Sequence, residues 1–261
     1  MKKFYFVLLP ILIFSFFKAY PETGREIMEK VVNKETWNDM TADLYLTIVD
    51  SKGGKREREI KSFMKKYSAD ETKMLMFFLK PADVRGTSFL IVEHKDRDDD
   101  RYLYLPALRR VKRILASGKG GSFMASDFSY YDIGKPKLED FKYNLIGEEK
   151  LDGVPCYVIE CLPVSPQIEK DTGYSKIVRW VRKDNYMILK SDYYSRDGKK
   201  FKVLDVEKIE EIQNVLFATV MTMKDIISNR ISRMEFRNIK VNTGLKDSLF
   251  SETSLDRINI E

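Results

Sequence analysis

Hydrophobic residues recur with two different periods along the chain, and the period separates one predicted helix from a series of predicted strands. In residues 22–36 the apolar side chains recur at helical spacing, which predicts an amphipathic helix that needs a partner surface. These side chains are Ile27, Met28, Val31 and Val32. From residue 41 the period changes to two, and residues 41–50 and 60–64 flank a Gly-Gly turn. The second pattern predicts a β-hairpin with one buried face.

Two segments, residues 74–79 and 89–92, are apolar at every position. In an antiparallel sheet this pattern predicts strands shielded from water on both faces, by helices on one side and a ligand or second layer on the other. One alternating set of side chains would then line an apolar cavity, although simple core packing is the alternative for any single one. The sequence leaves open which set faces inward. The first set is Met74, Met76, Phe78, Phe89 and Ile91, joined by Tyr102 and Tyr104, and the second is Leu75, Phe77, Leu79, Leu90 and Val92.

Alternating segments with short turns continue to the C-terminal region. These predicted strands are residues 141–151, 154–162, 174–183, 187–194, 201–209, 215–226 and 231–241. With the earlier segments they make about ten or eleven strands, which predicts a meander-like antiparallel sheet that must curl or close. Residues 116–122 and 163–172 are predicted to be long loops, and residues 247–255 a turn or short helix.

The N-terminal segment has the order of a secretory signal, with Lys2 and Lys3 before an apolar run and Ala19 among small or polar residues. The run is about 14 residues long, short for a membrane span of roughly twenty residues, and no cysteine lies near it to carry an acyl anchor. We expect residues 1–20 to be cleaved and residues 21–261 to form one soluble, monomeric periplasmic domain. An uncleaved anchor is the alternative. The net charge of +6 is mild and does not indicate nucleic-acid binding.

The sequence lacks the residue sets of common catalytic and metal sites. His94 is the single histidine, which excludes a His-based triad, a histidine zinc cluster and an HExxH site. The acidic run at residues 96–100 lacks the glycine and distal glutamate of an EF-hand loop, and we interpret it as a solvated hairpin tip. Cys156 and Cys161 lie too far apart on one predicted strand to pair, so we expect buried free thiols. No catalytic residue, metal or cofactor is predicted.

A basic segment, defined as Arg109, Arg110, Lys112 and Arg113, follows a predicted strand at residues 101–105 and a break at Pro106. At least two of its charges must share a strand face, and such a face attracts anions. An exported protein meets lipid headgroups and acidic protein surfaces more often than RNA, so we interpret the segment as a docking surface for those partners. The alternative is a solvated edge strand whose charges guard against aggregation.

Three blocks of sequence resemble a known family. They read KPADVRGTSFL at residues 80–90, RYLYLPALRRVKRI at residues 101–114 and SFMASDFSYYDI at residues 122–133. They resemble the outer-membrane lipoprotein-sorting-like proteins of the LolA-like superfamily, whose blocks read KPxDxRGTxFL, RYLYLPxLRRVRRI and SFMGSDFSYEDI. A weaker resemblance extends over residues 22–255. Ala125 stands where that family usually has glycine, and Tyr131 where it usually has an acidic residue.

The resemblance implies a mainly β fold with a few helices: a strongly curved antiparallel sheet, an incomplete β-barrel, with helices covering its concave face around an apolar cavity. It implies a periplasmic carrier that binds lipid or lipoprotein acyl chains and delivers them between membranes, often beside a transporter of the resistance-nodulation-division (RND) type. It also marks a family-motif loop containing Phe123, Ser126, Asp127 and Phe128. Two other functions stay open: an envelope lipid sensor or adaptor, and a structural protein whose interior is filled by its own helices.

Overall fold

Thirteen strands form one antiparallel sheet in the computed structural model, which describes residues 22–34, 37–68, 71–94 and 97–256. The predicted signal segment lies outside the described residues. The α-helices are α1 Gly24–Asn33, α2 Tyr130–Ile133 and α3 Pro166–Thr172. The strands are β1 Asp39–Val49, β2 Lys55–Lys66, β3 Thr72–Lys80, β4 Ser88–Val92, β5 Asp100–Leu105, β6 Arg110–Ile114, β7 Phe141–Leu151, β8 Val154–Pro163, β9 Lys176–Arg182, β10 Ile188–Tyr194, β11 Lys200–Ile212, β12 Val215–Asp225 and β13 Arg230–Val241.

The strand order is two meanders joined at the centre of the sheet. Strands β1 to β6 run outward to one edge, and β7 to β13 run back from the other edge until β13 pairs with β1. A flat sheet of this width would span about 60 Å at roughly 4.8 Å per strand. Phe89, near one edge, and Phe141, at the other, nevertheless belong to a single buried cluster. The sheet therefore curves around a shared core, and the predicted fold class is confirmed.

Residues 115–140 connect the two edge strands and cross the concave side of the sheet. Phe123, Phe128, Tyr131 and Ile133 of this connection pack in the same core cluster as the inward side chains of β1. The concave face is thus covered by a crossing segment as well as by helices. The crossing segment includes residues 116–122, which were predicted as a long loop. These residues pack against α3, and a Cβ on Gly120 would lie 2.9 Å from the carbonyl oxygen of Thr172.

Helix α1 covers the concave face near the β7 edge. Thr23 and Glu26 form a capping box, in which the Thr23 amide donates to Glu26 Oε2 at 2.7 Å. Ile27 and Met28 are fully buried in the core. A Cβ on Gly24 would lie 2.7 Å from the carbonyl oxygen of Tyr143, so glycine lets the helix start approach β7 directly. The helix predicted within residues 22–36 is confirmed over residues 24–33, and residues 35 and 36 lie outside the described residues.

The prediction of a loop at residues 163–172 is wrong, because residues 166–172 form α3. Ser165 caps the helix by accepting a 3.3 Å hydrogen bond from the Ile168 amide, and Gly173 ends it in the left-handed region at φ 81°. The predicted turn or short helix at residues 247–255 is confirmed as two short 3-10 turns. Within the described residues, no helix has the length and apolar character needed to cross a membrane.

Candidate functional site

A cavity of about 250 Å³ lies on the concave face, bounded by β1, β2, β3, β12 and β13 on one side and by residues 128–133 of the crossing segment on the other. Of its lining residues Ser62 and Asp132 are polar, and the others are apolar. The apolar lining residues are Met40, Met64, Met74, Met76, Phe128, Ile133, Phe217, Ala218, Met221, Met234, Phe236 and Ile239. We call this space the methionine cavity.

A second space of about 360 Å³ adjoins the methionine cavity, since Met40, Met64, Phe217 and Ala218 line both. Its remaining walls come from the chain after α1, the turn between β9 and β10, and the turn between β11 and β12. These residues are Lys34, Trp37, Asn185, Met187, Asn214, Val215 and Leu216. Together the two spaces run from the core toward one end of the sheet, where the turns lie.

The first of the two predicted inward-facing sets is the one on the concave side. Met74 and Met76 line the methionine cavity. Phe78, Phe89 and Ile91 share that face but belong to the packed core. The ring of Phe123 lies 5.4 Å from that of Phe89 and 6.3 Å from that of Phe78, centroid to centroid, so the crossing segment covers them. Of the second set, Leu75 and Leu90 pack on the outer face with Phe250 and Leu255.

The assignment of Tyr102 and Tyr104 to the cavity is wrong. Leu90 is the cross-strand partner of Tyr102, and both tyrosines pack against the outer cluster, while Leu103 between them faces the concave core. The physical reason is strand alternation combined with register. The sequence shows which residues of β5 share a face, but it does not show which residues of β4 lie on that same face of the sheet.

Sequence reasoning missed most of the methionines that build the cavity. Met40 and Met64 pair across the β1–β2 hairpin, and Met221 and Met234 pair across the β12–β13 hairpin, which is distant in sequence from the first. Met64 also pairs with Met74 on β3. A usable signal existed, since each occupies the inward phase of an alternating strand. The missing information was the pairing of β1 with β13.

The family-motif loop forms the base of the cavity. Phe123, Ser126, Asp127 and Phe128 are all buried, and Phe128 lines the cavity directly. Ser126 Oγ donates a 2.7 Å hydrogen bond to the Phe123 carbonyl, which closes the loop on itself. Asp127 Oδ1 lies 3.3 Å from Arg230 Nε on β13. The loop is therefore tied across the concave side from β4 to β13.

Asp132 presents a carboxylate at the cavity wall. Its Oδ2 accepts hydrogen bonds from the Ser129 amide at 2.7 Å, the Ser129 hydroxyl at 2.8 Å and the Tyr174 hydroxyl at 2.7 Å. Burial of the Tyr174 ring raises the pKa of its hydroxyl well above the usual value, which keeps it a donor. The carboxylate is held in one orientation by three donors.

The interpretation of the acidic run as a solvated hairpin tip is wrong for Asp99 and Asp100, which are buried, whereas Asp98 stays half exposed. Asp99 pairs with Arg101 and with Lys137, both at 2.8 Å. Asp100 accepts from Arg97 at 2.6 Å, bonds His94 Nε2 at 2.8 Å and pairs with Arg113. These bonds, led by the one from Arg97, lower the pKa of Asp100. The run anchors the crossing segment to β5. Asp96 lies outside the described residues.

The basic segment occupies the edge strand β6 and the turn before it. Arg109 lies in that turn at φ 47°, and all four basic side chains are exposed. Arg110 and Lys112 share one face of β6, and Arg113 lies on the other face, beside Asp100. The placement is compatible with both docking and edge protection, so docking stays a prediction.

Cys156 and Cys161 are buried free thiols, as their spacing predicts. Burial raises the pKa of the Cys161 thiol to about 11. In the part of the chain that the structure describes, no three histidine, cysteine or acidic residues group in a way that could hold a metal ion.

An open, curved antiparallel sheet with a covered concave face defines the LolA-like class of folds. A LolA-superfamily protein from Nitrosomonas europaea shares this fold at 19% identity, with a TM-score of 0.70 over 89% of this chain and 99% of that chain. A DUF1329 family protein from Desulfovibrio piger is 31% identical, with a TM-score of 0.83 over 89% of this chain and 97% of that chain. The chain belongs to the DUF1329 family.

Two further comparisons match most of the chain. A domain from Vibrio parahaemolyticus, provisionally named as an outer membrane lipoprotein-sorting protein, is 31% identical, with a TM-score of 0.84 over 90% of this chain and 98% of that chain. A family model described as "uncharacterized protein" matches residues 70–257. No functionally curated protein matches the sequence.

Proposed function

We propose that the protein is a carrier that binds lipid, or the acyl chains of a lipoprotein, in the methionine cavity. The observation that carries this proposal is an apolar space of about 250 Å³ inside the curved sheet, adjoined by a second space that reaches the turns at one end. The fold leaves both spaces open although α1 and the crossing segment cover other parts of the concave side. That combination suits a ligand that enters from the end of the sheet.

The physical chemistry of the lining favours acyl chains. Methionine side chains are unbranched and flexible, so they adapt to ligands of irregular shape. Each buried methylene contributes about 0.8 kcal/mol, so eight methylenes would contribute about 6 kcal/mol without any catalytic group. The name of the Vibrio parahaemolyticus relative supports a lipoprotein as the source of those chains.

The remaining parts of the proposal concern location and partners. Residues 1–20 would direct export and be removed, and residues 21–261 would act as one monomeric domain in the periplasm. Delivery would take place between membranes, or to or from an RND-type transporter. The exposed basic segment on β6 would contact the anionic membrane surface during transfer.

Lipid analysis by mass spectrometry on natively purified protein tests the carrier function. Wild-type protein should release acylated molecules, and Ala218→Trp should release far less because Ala218 lines both spaces. Ile146→Trp adds the same side chain at an exposed position of β7 and serves as the matched control. Equal lipid content in wild type and Ala218→Trp, or no lipid in either, would overturn the proposal.

A further inference from the structure

We infer that the methionine cavity recognises an N-acyl amide, a chain whose first polar group offers both an N–H donor and a carbonyl acceptor. The inference rests on the proposed function and specifies the chemical class of the ligand. It is carried by the two polar residues of an otherwise apolar lining, Ser62 and Asp132.

Asp132 has one oxygen engaged and one free. Oδ2 accepts three hydrogen bonds from Ser129 and Tyr174. Oδ1 has no hydrogen-bond partner among the residues that the structure describes, and the residue lines the cavity. The three bonds fix the carboxyl group, so Oδ1 is an acceptor whose direction is set before any ligand arrives. A pre-oriented acceptor binds without the cost of ordering a side chain.

Ser62 is 1% exposed and sits on the inward face of β2, opposite Met76 in the register. Within the described ranges, no group hydrogen-bonds to its hydroxyl. Buried polar groups in folded proteins almost always have a partner. The Ser62 hydroxyl lines the cavity and can donate to a ligand oxygen.

A secondary amide matches this pair because its N–H can donate to Asp132 and its carbonyl can accept from Ser62. An ester of equal length offers the carbonyl but leaves Asp132 without a donor. A free fatty acid brings a second carboxylate next to the first, which is repulsive. The expected order of affinity is amide, then ester, then fatty acid.

The test is a displacement titration of delipidated protein with N-methylhexadecanamide, methyl hexadecanoate and hexadecanoate. The amide should bind wild type about tenfold more tightly than the ester, as expected for one hydrogen bond to a charged group. Asp132→Asn keeps a carbonyl for Ser129 and Tyr174 but puts an NH₂ group in place of Oδ1, which can no longer accept from a ligand N–H. It should bring the amide-to-ester ratio close to one and improve hexadecanoate binding.

Ser62→Ala should weaken the amide and the ester alike, because both present a carbonyl, and leave their ratio unchanged. Met221→Leu, a change in the apolar wall, is the control and should also leave the ratio unchanged. If Asp132→Asn does not fold, Tyr174→Phe removes one bond that orients Asp132 and should lower the ratio severalfold. Equal wild-type affinity for amide and ester, as for a cavity whose polar atoms bind water, would overturn the inference. Failure of all three ligands to bind wild type would instead overturn the carrier function.

Discussion

Asp127 and Ser232 exchange two hydrogen bonds across 105 residues of sequence. The Asp127 amide donates to Ser232 Oγ at 2.8 Å, and the Ser232 hydroxyl donates to Asp127 Oδ2 at 2.6 Å. Ser232 is fully buried and Asp127 is 4% exposed. The exchange fixes the family-motif loop to β13, so the base of the methionine cavity is held to the centre of the sheet, where β13 pairs with β1.

Ser232→Ala should destabilise the protein by about 1–3 kcal/mol, because it leaves a buried amide and a carboxylate oxygen without their partner. Urea unfolding followed by tryptophan fluorescence measures the change. Ser228→Ala is the matched control, because Ser228 is exposed in the turn between β12 and β13. It should change stability little. Equal unfolding midpoints for the two variants would contradict a structural role for the exchange.

Ala125→Gly should stabilise the protein by up to about 1 kcal/mol. Ala125 has φ 62°, a left-handed conformation that costs an L-residue about 1–2 kcal/mol and that glycine adopts freely. The greater entropy of glycine in the unfolded chain offsets part of this gain. Thermal unfolding measures the outcome, and Ala107→Gly, in a 3-10 turn outside the left-handed region, should destabilise instead. A lower melting temperature for Ala125→Gly would show that the backbone is not strained there.

Much of the fold could be predicted from the sequence because strand alternation is a local signal. The alternation of β3 and β4 predicts that Met74, Met76 and Phe89 share one face of the sheet, although it does not show that this face is the inward one. The three blocks that resemble a known family pointed to the fold class. Helix α3 was missed because it is only seven residues long, although its Ser-Pro start and Gly173 end are readable signals.

The cavity itself could not be predicted from the sequence because it depends on contacts between distant segments. Met40 and Met234 reach one wall only because β1 pairs with β13, strands from opposite ends of the chain. The acidic run was misjudged for the same reason. Consecutive carboxylates suggest a solvated tip, and their partner Lys137 lies some forty residues further along the chain.

Asp100→Asn should lose stability at neutral pH, by about 1–3 kcal/mol, and lose less of it in acid. The bond from Arg97, followed by that from His94, lowers the pKa of Asp100 in the folded protein. A carboxyl group whose pKa is lower in the folded than in the unfolded protein stabilises the fold at pH values above its ordinary pKa of about 3.9. That stability is lost as the pH falls toward the folded-state pKa. The difference between wild type and Asp100→Asn should therefore be constant above about pH 5 and shrink toward pH 3.

Unfolding free energies measured across that range decide the point. Arg97→Gln removes the largest cause of the lowered pKa and should flatten the acid-dependent loss of stability relative to wild type. An unchanged difference between wild type and Asp100→Asn down to pH 3 would mean that Asp100 is not held by these bonds.

The salt dependence of membrane binding distinguishes the two roles considered for the basic segment, docking and edge protection. If Arg109 and Arg110 contact an anionic surface, changing both to Glu should strongly reduce binding to vesicles that contain anionic phospholipid at low salt. The effect should fade at high salt, since exposed charges are screened over about 8–10 Å. Vesicle sedimentation over a salt series measures it.

Changing Arg196 and Lys199 to Glu makes the same change in net charge at another exposed turn, and their side chains are 68% and 77% exposed. This control should retain vesicle binding, because its charges belong to the turn between β10 and β11 and not to the basic segment. Acyl-chain binding in the methionine cavity should be the same in both variants, since neither pair lines it. Edge protection predicts a different pattern. Wild type and the Arg109/Arg110 variant would then bind vesicles equally at every ionic strength. The variant would aggregate faster, because β6 would have lost the charges that guard an edge strand.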